Sequence, residues 1–152
     1  MKEVEEKIEN LGNSKHILCA ELAITHLCSE IDLILKETTT QESLQTAFSN
    51  ILRLLALNGG NFSTQCAGCI ASTFLKVISL MQSPPIWDFY TATIDISTSA
   101  SIVAASYITK RTGLKFKSQI PRFVEFILKR PKSDFVTSIY AFRSCAVADA
   151  AF

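Results

Sequence analysis

The sequence predicts an all-α fold, a right-handed α-α superhelix of about seven helices in antiparallel pairs, and three observations carry that expectation. Only five glycines and four prolines punctuate 152 residues, too few breakers for an all-β chain with many tight turns. Apolar residues recur at mixed three- and four-residue spacing over long segments, as one face of an amphipathic helix requires. The candidate N-caps Ser63, Thr98 and Ser133 stand thirty-five residues apart, a period in the range of helical-hairpin repeats.

Residues 1–13 read as a charged N-terminal extension, helical or mobile, in which Glu3 can pair with Lys7 on a helix surface. Residues 14–152 read as one helical-repeat domain, with hairpins over 14–58, 63–94 and 98–130 and an unpaired helix over 133–152. Ser14 opens the first helix, whose Ile17, Leu18, Glu21, Leu22, Ile24, Cys28, Ile31 and Leu35 form one stripe to about Lys36. Thr38-Thr39-Thr40 offers N-caps for a second helix carrying Leu44, Phe48, Ile51 and Leu55, stopped by Asn58-Gly59-Gly60.

Ser63 caps a third helix with Cys66, Ala67, Ile70, Phe74, Val77 and Ile78, which must end ahead of Pro84-Pro85 because proline cannot continue the hydrogen-bond ladder. The fourth, from Ile86 to about Ile94, holds Trp87, Phe89 and Tyr90, and this bulk predicts burial on most sides. Ser97-Thr98-Ser99 caps a fifth helix that Gly113 stops. Ser118 caps a sixth, with Pro121 in its first turn, where a missing amide proton costs little, and Ile120, Phe123, Val124, Ile127 and Leu128 as its apolar residues. The last begins at Ser133-Asp134 and runs to Phe152; with no partner in sequence, its outer face is expected to be unsatisfied. Small residues near each repeat start, Cys66-Ala67-Gly68, Ala104-Ala105-Ser106 and Thr137-Ser138, would admit close helix approach. A closed helical bundle whose caps repeat by chance is the competing arrangement.

The acidic start lacks the basic end and apolar stretch of a secretory signal, and no stretch reaches the roughly 18 apolar residues of a membrane span, so a cytoplasmic location is expected. In that reducing compartment the five cysteines read as small hydrophobes and not as a disulfide framework.

Ser101-Ile102-Val103-Ala104-Ala105-Ser106-Tyr107-Ile108-Thr109-Lys110-Arg111-Thr112-Gly113, followed by Ser118-Gln119-Ile120-Pro121-Arg122-Phe123-Val124-Glu125-Phe126-Ile127-Leu128-Lys129, resembles the amino-terminal repeats of the large HEAT-repeat-5 family of clathrin-adaptor-associated trafficking proteins. That family similarly has an alanine-rich helix ending in glycine, then a helix with proline in its first turn and a terminal lysine. Cys66 to Tyr90 and Lys132 to Val147 look like the flanking family elements. The resemblance implies a HEAT or armadillo kind of repeat, a scaffold in traffic between Golgi and endosomes, clathrin adaptor complexes or their accessory proteins as partners, and peripheral membrane association through them.

No residue emerges as catalytic, cofactor-binding or metal-ligating. Cys66 and Cys69 form a CxxC pair without a second pair or a following His-x-x-x-His. His16, Cys19, His26 and Cys28 add candidate ligands, but His16 and His26 would lie about 15 Å apart along a helix. No GxSxG elbow presents a nucleophile, and Gly59-Gly60 lacks the further glycines or Gly-Lys-Ser of a phosphate loop. The expectation is a non-enzymatic protein-binding scaffold without cofactors.

Charge is uneven: residues 1–42 hold nine acids and four bases, and residues 110–143 hold nine bases and two acids. The alternative reading is therefore a basic-edge module for nucleic acid or acidic membrane. Stacking would split that charge, with Lys110, Arg111, Lys115, Lys117 and Arg122 at one edge and Lys129, Arg130 and Lys132 at the other. Phe74, Trp87, Phe123 and Ile127 are the residues expected to pack between helices.

Overall fold

A computed structural model describes residues 1–12, 17–112, 120–130 and 134–150 of the chain. Among them are eight α-helices and no strand: α1 (Lys2–Gly12), α2 (Ile17–Glu37), α3 (Gln41–Ala56), α4 (Thr64–Leu80), α5 (Ile86–Ile96), α6 (Ser99–Thr112), α7 (Ile120–Leu128) and α8 (Phe135–Ala150). The all-helical class is as the periodicity predicts. The eighth helix comes from the charged start.

Within α1, Val4, Ile8 and Leu11 fall at four- and three-residue steps, and that stripe enters the core, leaving Val4 0% and Ile8 3% exposed. Its charged residues tie it down. Lys7 Nζ donates to both carboxylate oxygens of Glu30 at 3.0 Å, and Arg53 donates to Glu5 at 2.6 Å. Lys7 thus bonds across to α2 instead of pairing with Glu3, because the buried stripe turns it toward that helix.

Local signals account for the helix ends. Thr40 accepts from the Ser43 amide and Ser63 from the Cys66 amide, each at 3.2 Å, satisfying amides that the helix itself leaves unpaired. Thr98 does the same for Ser101. Two of the three caps in the thirty-five-residue series therefore work as caps; Ser133 lies outside the described residues, as do Ser14, Gly113 and Ser118. After α3 the backbone turns left-handed at Asn58, Gly59 and Gly60, with φ of 53°, 64° and 80°. Gly60 is also a close approach: a Cβ there would lie 2.2 Å from Ile96 Cγ2, and its carbonyl accepts from Thr98 Oγ1. Only glycine fits both demands.

The helices lie in two rows. The even-numbered helices form the first, with α2 beside α4, α4 beside α6 and α6 beside α8 at close backbone approach. Small residues allow this: Ala67, Ala71, Ala104, Ala105 and Ala141 are all 0% exposed. In the second row α1 meets α3 and α3 meets α5, over smaller areas. Large side chains occupy this side, and rings join it to the first row. Phe48 of α3 meets Phe74 of α4 at 5.5 Å between centroids, Phe74 stacks on Phe89 of α5 at 4.1 Å, and Tyr90 of α5 meets Phe123 of α7 at 5.6 Å. Fully burying a side chain of this size stabilises by about 1.5–3 kcal/mol.

Between rows, the closest backbone approaches join α1 with α2, α3 with α4, α5 with α6 and α7 with α8. This is one helix out of step with the expected hairpins. The helices of the expected 63–94 hairpin, α4 and α5, touch through the Phe74 and Phe89 rings, which hold their backbones apart. The start of the chain thereby supplies the neighbour that α2 needs, and α8 has α7. The outer face of α8 is nonetheless open, with Val136 80%, Ile139 49% and Val147 41% exposed, as its expected lack of cover implies.

Other expectations need adjustment. Leu22, placed on the buried stripe of α2, is 78% exposed. Glu21 beside it turns inward, and its Oε1 accepts from the Ser63 amide at 2.8 Å, adding a carboxylate to the positive end of α4. The fourth predicted helix, α5, buries Ile86, Phe89, Tyr90 and Thr93 but exposes Asp88, Thr91 and Asp95, so one face remains outside. Phe74, Phe123 and Ile127 are buried, whereas Trp87 is only half-buried and lies under the Arg122 guanidinium, 4.5 Å from its ring centroid. Gly68 admits no close neighbour, since a Cβ there would meet nothing within 4 Å.

Candidate functional site

Among the described residues, those singled out by sequence do not converge on a chemical centre. Cys66 is buried and its Sγ donates to the Glu21 carbonyl at 3.6 Å, while Cys69 is only half-buried. Burial pushes the Cys28 thiol up to about 12, against a hydrogen bond with Thr73 that lowers it, and burial alone raises Cys145 to about 11. Such thiols are poor nucleophiles, because the thiolate is the reactive form. His26 is 74% exposed, with Nε2 3.9 Å from Glu30. His16 and the Cys19 side chain lie outside the described residues, among which no group of three or more His, Cys, Asp or Glu is placed to hold a metal ion.

Four of the basic residues of the 110–143 region are engaged within the molecule. Arg111 stacks on Tyr107 at 4.0 Å and Arg122 on Trp87, and Lys129 pairs with Glu125 at 3.0 Å. Arg130, its side chain 7% exposed, pairs with Asp134 and donates to the Ser97 carbonyl at 2.9 Å. Asp134 also accepts from Ser99 at 2.9 Å. Burial would raise the Asp134 carboxyl, but hydrogen bonds with Thr137, Arg130 and Ser99 and the Arg130 charge outweigh it and hold the group below its ordinary value. These contacts join the start of α6 to the start of α8. Lys115, Lys117 and Lys132 lie outside the described residues.

A concavity lies between the start of α3 and the α4–α5 connection. A cavity of about 610 Å³ at the end of the α2–α3 and α4–α5 connections is lined by Gln41, Gln45, Leu80, Met81, Gln82 and Pro85, among others. It adjoins a second of about 360 Å³, which shares Gln45, Met81 and Pro85 and adds Phe48, Ser49, Leu52 and Asp88. On α3 the lining residues Gln41, Gln45, Ser49 and Leu52 follow one another at helical steps on one face, the first three exposed and Leu52 half-buried. Phe48 lies at the base, fixed against Phe74.

Its chemistry is distinctive. The lining combines primary amides and hydroxyls with Leu52, Leu80, Met81 and Pro85, and among the described residues Asp88 is its one charged side chain. Gln41, Gln45, Gln82 and Ser49 are exposed, and their polar groups are not used in side-chain bonds within the described structure. Elsewhere hydroxyls are turned back on the chain, as where Ser106 donates to the Ile102 carbonyl at 2.7 Å and Thr109 to Ala105 at 2.8 Å. The sequence carried a signal for this site: exposed positions spaced as Gln41-x-x-x-Gln45-x-x-x-Ser49 carry no charge, on a surface where lysine and glutamate are the usual choice.

Among the described residues no helix is long and apolar enough to cross a membrane. No protein-family model, curated protein or solved structure matches the chain.

Proposed function

We propose that the chain is a non-enzymatic protein-binding scaffold segment of the HEAT or armadillo kind, its two rows forming part of a right-handed α-α superhelix. The observation that carries this reading is the order of packing. Each even-numbered helix lies against the next in chain order, and α1 and α8 have different principal neighbours at opposite ends, as in stacks where each repeat touches only its neighbours. A tight row of small residues opposite a spread row of large ones would bend such a stack. Exposed Leu128, Val136 and Ile139, at 69%, 80% and 49%, add apolar surface of the kind that proteins use for association.

The resemblance to the HEAT-repeat-5 family extends this reading to vesicle traffic between Golgi and endosomes. The partners are then clathrin adaptor complexes or accessory proteins, and the chain is cytoplasmic and held at those membranes through them. The experiment is capture from cytosol on the immobilised chain, read by mass spectrometry and repeated with purified adaptor complex. Enrichment of adaptor subunits over an unrelated helical bundle is expected. Recovery of other proteins would remove the trafficking assignment, and recovery of none would remove the scaffold reading as well.

A further inference from the structure

We infer that the groove between α3 and the α4–α5 connection, with Asp88 at one end, binds an extended peptide segment of a partner protein, one carrying a basic side chain next to an apolar one. The inference rests on the scaffold reading and names the site and the chemistry of its ligand. A primary amide both donates and accepts, so Gln41, Gln45 and Gln82 can pair with the N–H and C=O groups of a main chain whatever its sequence. An extended segment has those groups free. A helix has already satisfied its own and would instead require a long apolar stripe. The groove offers no such stripe: Leu44 and Phe48 are 5% and 6% exposed, so Leu52, Leu80, Met81 and Pro85 provide short apolar contacts between polar ones.

Charge selects the basic residue. Asp88 lines the groove without an ion pair among the described residues, and no lysine or arginine lines either cavity. A lysine or arginine of the ligand therefore meets an unshared carboxylate, while an acidic peptide meets one of its own sign. The two cavities share Gln45, Met81 and Pro85, so one segment can pass from the Gln82 end to Asp88.

The test is selection of random twelve-residue peptides displayed on phage against the full chain, followed by anisotropy titration of the synthetic winners. Winners are expected to share a Lys or Arg beside an apolar residue. Ser49→Trp, which fills the groove from an exposed position, should weaken them by at least about tenfold, and Gln45→Lys, which places a cation in it, by a similar factor. Asp88→Asn should weaken them severalfold and abolish the advantage of Lys over norleucine in the peptide. Equal melting temperatures qualify each variant, and Gln45→Lys stands in if Ser49→Trp melts lower. Winners indifferent to all three variants would overturn the groove while leaving the scaffold reading intact. Failure to select any peptide, alongside a partner captured from cytosol, would likewise overturn the groove alone.

Discussion

The two rows of helices solve the same packing problem with opposite means. In the row of α2, α4, α6 and α8, alanines and serines let backbones approach, and α6 is buried along most of its length, from Ala100 to Thr109. In the row of α1, α3, α5 and α7, contacts between backbones are fewer; Tyr90 meets Phe123 and Trp87 lies under Arg122 between α5 and α7, while Phe48 and Phe89 reach Phe74 of the other row. The close row has a smaller cavity of about 280 Å³, lined by Thr25, Asp32, Cys69, Thr73 and Tyr107 among others. The spread row has a groove, and the groove has polar groups to spare.

The largest way to break that difference is to remove a spacer. Phe74→Ala deletes the ring between Phe48 and Phe89 from a fully buried position and should cost about 3–5 kcal/mol, read by urea denaturation. Overfilling the close row is the converse. Ala105→Leu inserts three carbons at a position that is 0% exposed and should cost about 1–3 kcal/mol; an unchanged urea midpoint would show that the close row has slack.

A smaller effect has the opposite sign. Gly68 sits inside α4 with nothing near its missing Cβ, so Gly68→Ala should stabilise by about 0.5–1 kcal/mol in the same assay. A loss would restore the idea that this glycine serves close approach. The smallest concerns the link between α6 and α8. The Asp134 carboxyl is held low, so its contribution is complete above the unfolded carboxylate pKa of about 3.9 and disappears as pH falls below that through the folded value. Asp134→Asn should melt lower than the parent at pH 7, and the gap should close as pH drops under about 4. A gap constant with pH would mean that the carboxylate charge contributes nothing.

Helix ends were legible because each depends on a few neighbouring residues: Ser63 as a cap, Asn58-Gly59-Gly60 as a left-handed stop, Pro84-Pro85 as a break. The helix α1 was obscured because its glutamates and lysines outnumber Val4, Ile8 and Leu11, although the spacing of those three is what buries it. Pairing could not be read from connection lengths, since backbone approach depends on which side chains come between. Leu128 shows the same limit. It continues the apolar pattern of α7 yet is 69% exposed, because no described element covers that side. The groove was missed because Gln45, Ser49 and Asp88 match no motif; their placement matters only once the α4–α5 connection is seen beside α3.

Whether the rows form an open stack or a closed ball is tested most directly by deleting residues 133–152 and following helicity through a thermal melt by circular dichroism. An open stack predicts a soluble protein that keeps the helical signal of α1 to α7 and melts cooperatively at a lower temperature. A closed bundle predicts loss of the cooperative transition, and that result would contradict the account.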